Sequence, residues 1–238
     1  MQSTQHLRHG NLFVETEGFV SAIQDQVIAT RAYRRTILGE QTDQIKCRMC
    51  HEKNEYLDHI ISGCSVLASK AYLERHNRVG KIIHQKLREK YMALSDTVPY
   101  YQYEPPPVCE DERIKLYWNR KIVTDRTITN NIPDLVLTLK EEKKTFIVDF
   151  AIPLAANITK TYNEKISKYL PLADEIGKMW NMNSVVVLPV IVGATGEIPK
   201  TLKTSISELG LQWDLYLPIQ KSVILDTCAI VRRVIGEK

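Results

Sequence analysis

Two aspartates in the stretch IPDLVLTLKEEKKTFIVDFAIP, Asp134 and Asp149, each stand in an apolar run. A carboxylate among apolar strand residues is costly unless something compensates it. The segment KEEKK between the runs reads as a hairpin loop. With the turn centred between Glu141 and Glu142, Lys140 faces Lys143, Leu139 faces Lys144, and Asp134 falls opposite Asp149. Directly opposed residues share a face of the sheet, with Cβ atoms about 5 Å apart. Two carboxylates so placed repel each other, and a divalent cation between them removes the conflict. Mg²⁺ takes one or two carboxylates and leaves its other positions to water and substrate phosphate. A register slip of one residue would instead put the acids on opposite faces. They would then be an ordinary cap and an ion-pair partner.

The following helical segment, NITKTYNEKISKYL, has an apolar face of Ile158, Tyr162, Ile166 and Tyr169, flanked by Lys165 and Lys168. Either lysine could reach the acids over the strand end, to orient an attacking water or stabilise charge developing on a phosphate. Asp125, in VTDRT, is a further candidate for the acidic cluster, and the Phe150 carbonyl for a third oxygen ligand.

A second constellation lies upstream. Cys47, Cys50, His59 and Cys64 spell C-x2-C-x8-H-x4-C. Four sulfur or nitrogen ligands are what a closed, structural Zn²⁺ site requires. His51, adjacent to Cys50, is badly placed to close the tetrahedron. Cys109 and Cys228 are isolated and read as buried thiols. Arg75, His76, Arg78, Lys81, Lys86, Arg88 and Lys90 then crowd one helical stretch, a face that would suit a phosphate backbone or simply water.

These residues must be positioned by a chain of 238 residues, 44% hydrophobic, 25% charged and with net charge +4. That composition is globular and mildly basic. The polar opening has no apolar signal core, and SVVVLPVIVGA is too short to span a membrane. The expectation is an intracellular protein, nuclear or cytoplasmic, with no membrane partner and reduced cysteines. Helical patterns are expected at Glu15–Arg35, as two helices over residues 66–94 broken near Asn77 or Gly80, and as a short helix at DERIKLYWN. Strands are expected at Lys121–Thr129, Leu135–Leu139 and Thr145–Ile152. A helix capped by Asn157 should end or kink at Pro171, a buried strand should bulge or break at Pro189, and a helix should stop at Gly210 before a last one near the end. Pro105–Pro107 marks a boundary. The division is 1–45, an N-terminal helical segment; 46–104, the cysteine module with basic helices; and 105–238, a domain of α/β or α+β class.

The chain resembles the C-terminal region of site-specific, R-two-type non-LTR (LINE-like) retrotransposon polyproteins. The resemblance rests on TEGFVSAIQDQVIATRAYRR, CRMC through HIISGC, YLERHN, YWNRKIVTDRTI, NNIPDLVL, IVDFAIP, NEKISKYLPLADEI and LPVIVGATGEIPKTL, in that order. It implies a CCHC zinc knuckle followed by a restriction-like PD-(D/E)xK endonuclease, a mixed sheet flanked by helices. Asp134 would be the aspartate of the Pro-Asp motif and Asp149 the second acid, together holding Mg²⁺ or Mn²⁺. Ala151 stands where the general motif has its lysine. In this group that lysine is displaced to the next helix, which makes Lys165 and Lys168 the candidates. The implied activity is nicking of target DNA so that its 3′ end primes reverse transcription, with RNA a further partner. The rival reading is a zinc-stapled nucleic-acid-binding protein with a catalytically degenerate nuclease fold.

Overall fold

The protein is described by a computed structural model that covers residues 4, 10–41, 44–93 and 98–236. Most of the polar opening of the 1–45 segment lies outside these residues. The described residues form a mixed α/β structure built on a five-stranded sheet in the order β1 (Val108–Glu110), β2 (Ile114–Trp118), β3 (Leu135–Leu139), β4 (Lys144–Ala151) and β5 (Ser184–Ile191). Strands β1 to β4 run antiparallel, and β5 joins β4 in parallel. A parallel partner needs a crossover. Helix α4 (Ile158–Met179) supplies it. The other helices are α1 (Val14–Gln24), α2 (Arg31–Thr36), α3 (Leu73–Met92), α5 (Lys200–Glu208) and α6 (Tyr216–Ile235). None of the described helices is long and apolar enough to cross a membrane.

The sheet is covered on both faces. On one, Val79, Ile82, Ile83 and Leu87 of α3 pack with Leu116, Leu137, Phe146, Val148 and Phe150, joined by α5 and α6. On the other, Tyr169, Leu172 and Ile176 of α4 pack on Val136 and Ile147. This explains why β3 and β4 read as almost unbroken apolar runs: strands buried on both faces lose the alternation of a half-exposed strand. A third cluster joins α1, α6 and the cysteine module through Val20, Ile23, Leu57, Ile60, Ile61, Val231 and Val234. Because α3 belongs to the sheet's own core, packing runs across the 104/105 boundary.

Several expected elements differ. The single helix over Glu15–Arg35 is two, α1 and α2. Gln26 takes a positive φ of 59°, and Thr30 caps α2, its hydroxyl accepting from the Tyr33 N–H at 3.2 Å. DERIKLYWN holds strand β2, not a helix, because Ile114 and Leu116 alternate into the core between β1 and β3. Lys121–Thr129 is a loop rather than a strand. Ile122 is buried and Ile128 packs partly against the same core, but β2 already occupies the free side of β3. Pro171 lies inside an unbroken α4. Pro189 sits in an unbroken β5, an edge strand where a missing N–H costs no ladder bond. Asn157 precedes α4 without a side-chain cap bond. The chain does turn at Gly210, with φ of 66°.

Helix α3 is also unbroken at Asn77 and Gly80. Gly80 serves a close approach instead: a Cβ there would lie 2.4 Å from the Trp118 ring and 2.7 Å from that of Phe150. Replacing it by alanine would push α3 off the sheet. Gly80→Ala is expected to destabilise the protein by about 1–3 kcal/mol despite alanine's better helix propensity. The check is the urea midpoint, and an unchanged or higher midpoint would contradict the packing described.

Candidate metal centre and carboxylate–lysine site

The cysteine module begins as a tight turn. The Cys47 N–H donates to the Lys53 carbonyl at 2.8 Å and the His51 N–H to the Cys47 carbonyl at 2.9 Å, which brings Cys47 and Cys50 onto one side. Glu55 is fully buried and pins the turn. Its carboxylate accepts from the backbone N–H groups of Arg31 (3.0 Å) and Arg48 (2.9 Å), and from the Arg48 guanidinium at 2.8 and 2.9 Å. Burial alone would push this carboxyl up, but the bonds from Arg48 and Arg31 outweigh it and hold it below the ordinary range. His59 and Cys64 return on a π-helical turn, His59–Gly63.

The four ligand atoms lie within 4.8 Å of one another, a cluster that could hold a zinc ion. Cys47 Sγ is 4.0 Å from Cys64 Sγ, and Cys50 Sγ is 3.3 Å from His59 Nε2. A tetrahedron of Zn–S bonds near 2.3 Å has edges of about 3.8 Å, so the spacing fits. His51 lies outside the group. Burial pushes the Cys47 thiol up to about 11, so losing its proton at neutral pH needs a cation beside it. Burial, then the charge of Lys53, lowers His59 and favours the neutral imidazole that ligates metal. Cys109 and Cys228 are buried, as expected.

The hairpin has the counted register: Leu139 pairs with Lys144 and Leu135 with Val148, so the ladder places Asp134 opposite Asp149 at its open end. Asp149 is 1% exposed, near the end of β4 where the β3 ladder has stopped and β5 still pairs. From α4, the Lys165 ammonium lies against its Oδ2, close but off the direction of a regular hydrogen bond, and Lys168 Nζ is 3.6 Å from Oδ1. Tyr169, one residue on, donates to the Ile132 carbonyl at 3.2 Å. Its hydroxyl is held protonated by burial and then by the charge of Asp149. The structure therefore brings Asp134, Asp149, Lys165 and Lys168 together. It leaves Asp125 aside: that residue is exposed on the 119–133 loop, and among the described residues three aspartates do not gather at ligand distance.

The constellation contains one residue that the sequence reading assigned only to a basic face. His76 Nε2 lies 3.1 Å from Asp134 Oδ2 and 3.1 Å from the Phe150 carbonyl. Burial would raise the Asp134 carboxyl, but His76, the Phe150 N–H at 2.7 Å and the charge of Lys165 together hold it low. The available signal was YLERHN, a stretch already singled out, but nothing local points its histidine at a strand 58 residues later.

Most basic side chains of α3 find a partner within the protein. Arg75 is buried, donating to Thr227 Oγ1 at 2.8 Å and to the Ile61 carbonyl at 2.9 Å. Arg78 pairs with Asp226 at 2.6 Å, Lys81 with Glu104 and Lys86 with Glu89, each at 2.5 Å. Lys90 meets the Gly210 carbonyl, and the Arg88 guanidinium donates to the Tyr103 hydroxyl at 3.2 Å. The basic face that would suit a phosphate backbone or water is thus partly paired: Arg75 is buried, whereas Arg78 and Lys86 stay partly exposed beside their partners.

The module geometry makes two expectations measurable. Purified protein should carry one zinc per chain by elemental analysis, and Cys64→Ser should lose it together with several kcal/mol of stability. Glu55→Gln should keep the zinc but cost about 2–4 kcal/mol, because it removes a buried charge from Arg48 and two backbone donors. Zinc retention in Cys64→Ser would contradict the ligand set.

Comparison of the sequence with models of known protein families, and with characterised proteins, finds no match.

Proposed function

We propose that the protein is a divalent-metal-dependent DNA endonuclease of the restriction-like type, nicking target DNA for target-primed reverse transcription. The observation that carries this reading is the convergence of Asp134, Asp149 and Lys165 where β3, β4 and α4 meet. Two carboxylates and the nearby Phe150 carbonyl are hard oxygen donors of the kind Mg²⁺ and Mn²⁺ take. A divalent ion bound there supplies a more acidic water and neutralises charge on the phosphate.

The chain's own groups would do the rest. Asp134 and Asp149 hold the ion at the open end of the hairpin. Lys165 is drawn to Asp149 and is placed to turn toward the non-bridging phosphate oxygens, or to orient the attacking water, once a cation shares that carboxylate. Lys168 adds positive charge one helical turn away. Water attacks phosphorus, the bond from phosphorus to the 3′ oxygen breaks, and that oxygen leaves as a hydroxyl. The zinc-stapled module, packed on α6 and continuous with α3, is read as a support and a second contact for DNA or RNA. Such partners imply a nuclear or cytoplasmic place of action.

One observation favours a second reading. Lys165 already neutralises Asp149, and His76 already engages Asp134, so the site holds its charges without an ion. A catalytically degenerate nucleic-acid-binding protein would look the same. Nicking of supercoiled plasmid in Mg²⁺ or Mn²⁺ separates the two. The nuclease reading expects activity in the wild type and a loss of about 10²-fold or more in Asp149→Ala and in Lys165→Ala. Salt-dependent DNA binding by a wild type that never nicks would establish the second reading instead.

A further inference from the structure

We propose that His76 is a positioning residue for Asp134, setting which carboxylate oxygen is offered to the metal. The proposal rests on the nuclease reading of the site and deepens it. Two donors converge on one oxygen of Asp134: the Phe150 N–H at 2.7 Å and His76 Nε2 at 3.1 Å. Saturating Oδ2 from two directions fixes the plane of the carboxylate and leaves Oδ1 to face a cation.

The role runs through Asp134, not through the ion. The same Nε2 is 3.1 Å from the Phe150 carbonyl, which can only accept, so this nitrogen carries the hydrogen and has no lone pair for a metal. By bridging the acid of β3's end to the carbonyl of β4, the imidazole ties together the two sides of the open hairpin at the point where the ladder stops.

His76 is itself held. Its Nδ1 lies 3.0 Å from Asn77 Oδ1, and its ring stands edge-on to Phe150 with centroids 5.9 Å apart. The residue before it, Arg75, is locked to Thr227 and Ile61. Tyr72, one turn earlier, donates to the Ile60 carbonyl at 2.6 Å and accepts from the Cys64 N–H at 3.2 Å. Tyr72 and Arg75 therefore clamp the start of α3 to the cysteine module, and the same first turn delivers the His76 imidazole to Asp134.

The test uses the full, zinc-loaded chain and Mn²⁺ as the probe. Mn²⁺ binding is read from loss of the free-ion electron paramagnetic resonance signal, beside plasmid nicking and a urea midpoint. His76→Ala is expected to weaken Mn²⁺ binding about 10–100-fold, as loss of a residue supporting a metal ligand does. His76→Gln, whose amide can still donate to Oδ2, should recover most of it. Recovery by glutamine at equal stability is something a merely space-filling role would not produce. Wild-type Mn²⁺ affinity in His76→Ala, or a glutamine variant no better than alanine, would overturn the proposal alone. Wild-type protein that binds no Mn²⁺ beyond the level of Asp149→Ala would overturn it together with the reading it rests on.

Discussion

A negative charge buried near the end of an interior strand is the constraint to which the rest of the structure answers. Asp149 stands in β4, covered by α3 on one side of the sheet and α4 on the other, and a bare carboxylate there would be costly. Compensation has to come from a side chain long enough to cross the strand end. The parallel β4–β5 pairing requires a crossover, the crossover is α4, and α4 carries Lys165 and Lys168 on the turn that passes the acid. Fold and site are thus one solution: the connection the topology demands is the element that makes the buried acid tolerable.

Helix α3 provides the complementary link. Tyr72 and Arg75 fasten its start to the cysteine module, His76 reaches the open end of the hairpin, and Gly80 lets it settle against Trp118 and Phe150. The cysteine module is therefore more than an appendage on the mixed sheet. Its π-helical turn sets where α3 begins, and so where His76 falls. Of the basic residues on α3, Arg75 is the one buried in holding this arrangement. The cations set against Asp149 are Lys165 and Lys168 of α4.

The paired acids were legible in the sequence because a hairpin is arithmetic. A short turn fixes the register, and the two-residue period carries it outward to Asp134 and Asp149. The Cys47, Cys50, His59 and Cys64 cluster was legible because four residues of ligand type at close spacing leave little choice. The lysines were legible as flanks of an apolar helical stripe. His76 was not, since its role depends on α3 packing across the sheet, and the same letters suit a solvated basic face. β2 was mistaken for a helix because five residues carry too little periodicity to distinguish the two. Lys121–Thr129 was mistaken for a strand because its β-branched residues meet no free partner. The single long α4 was obscured by Pro171, which tertiary packing overrides. In each case the missing information was what lies opposite the segment in space.

The most direct measurement is diffraction from crystals of the zinc-loaded protein soaked in Mn²⁺, recorded at the manganese and zinc absorption edges. The account predicts a zinc peak among Cys47, Cys50, His59 and Cys64. It also predicts a manganese peak about 2.2 Å from the Asp134 and Asp149 carboxylates, with Lys165 drawn off Asp149 and His76 still on Asp134 Oδ2. No manganese between the two acids at saturating concentration, with the Lys165 ammonium still against Asp149, would contradict it.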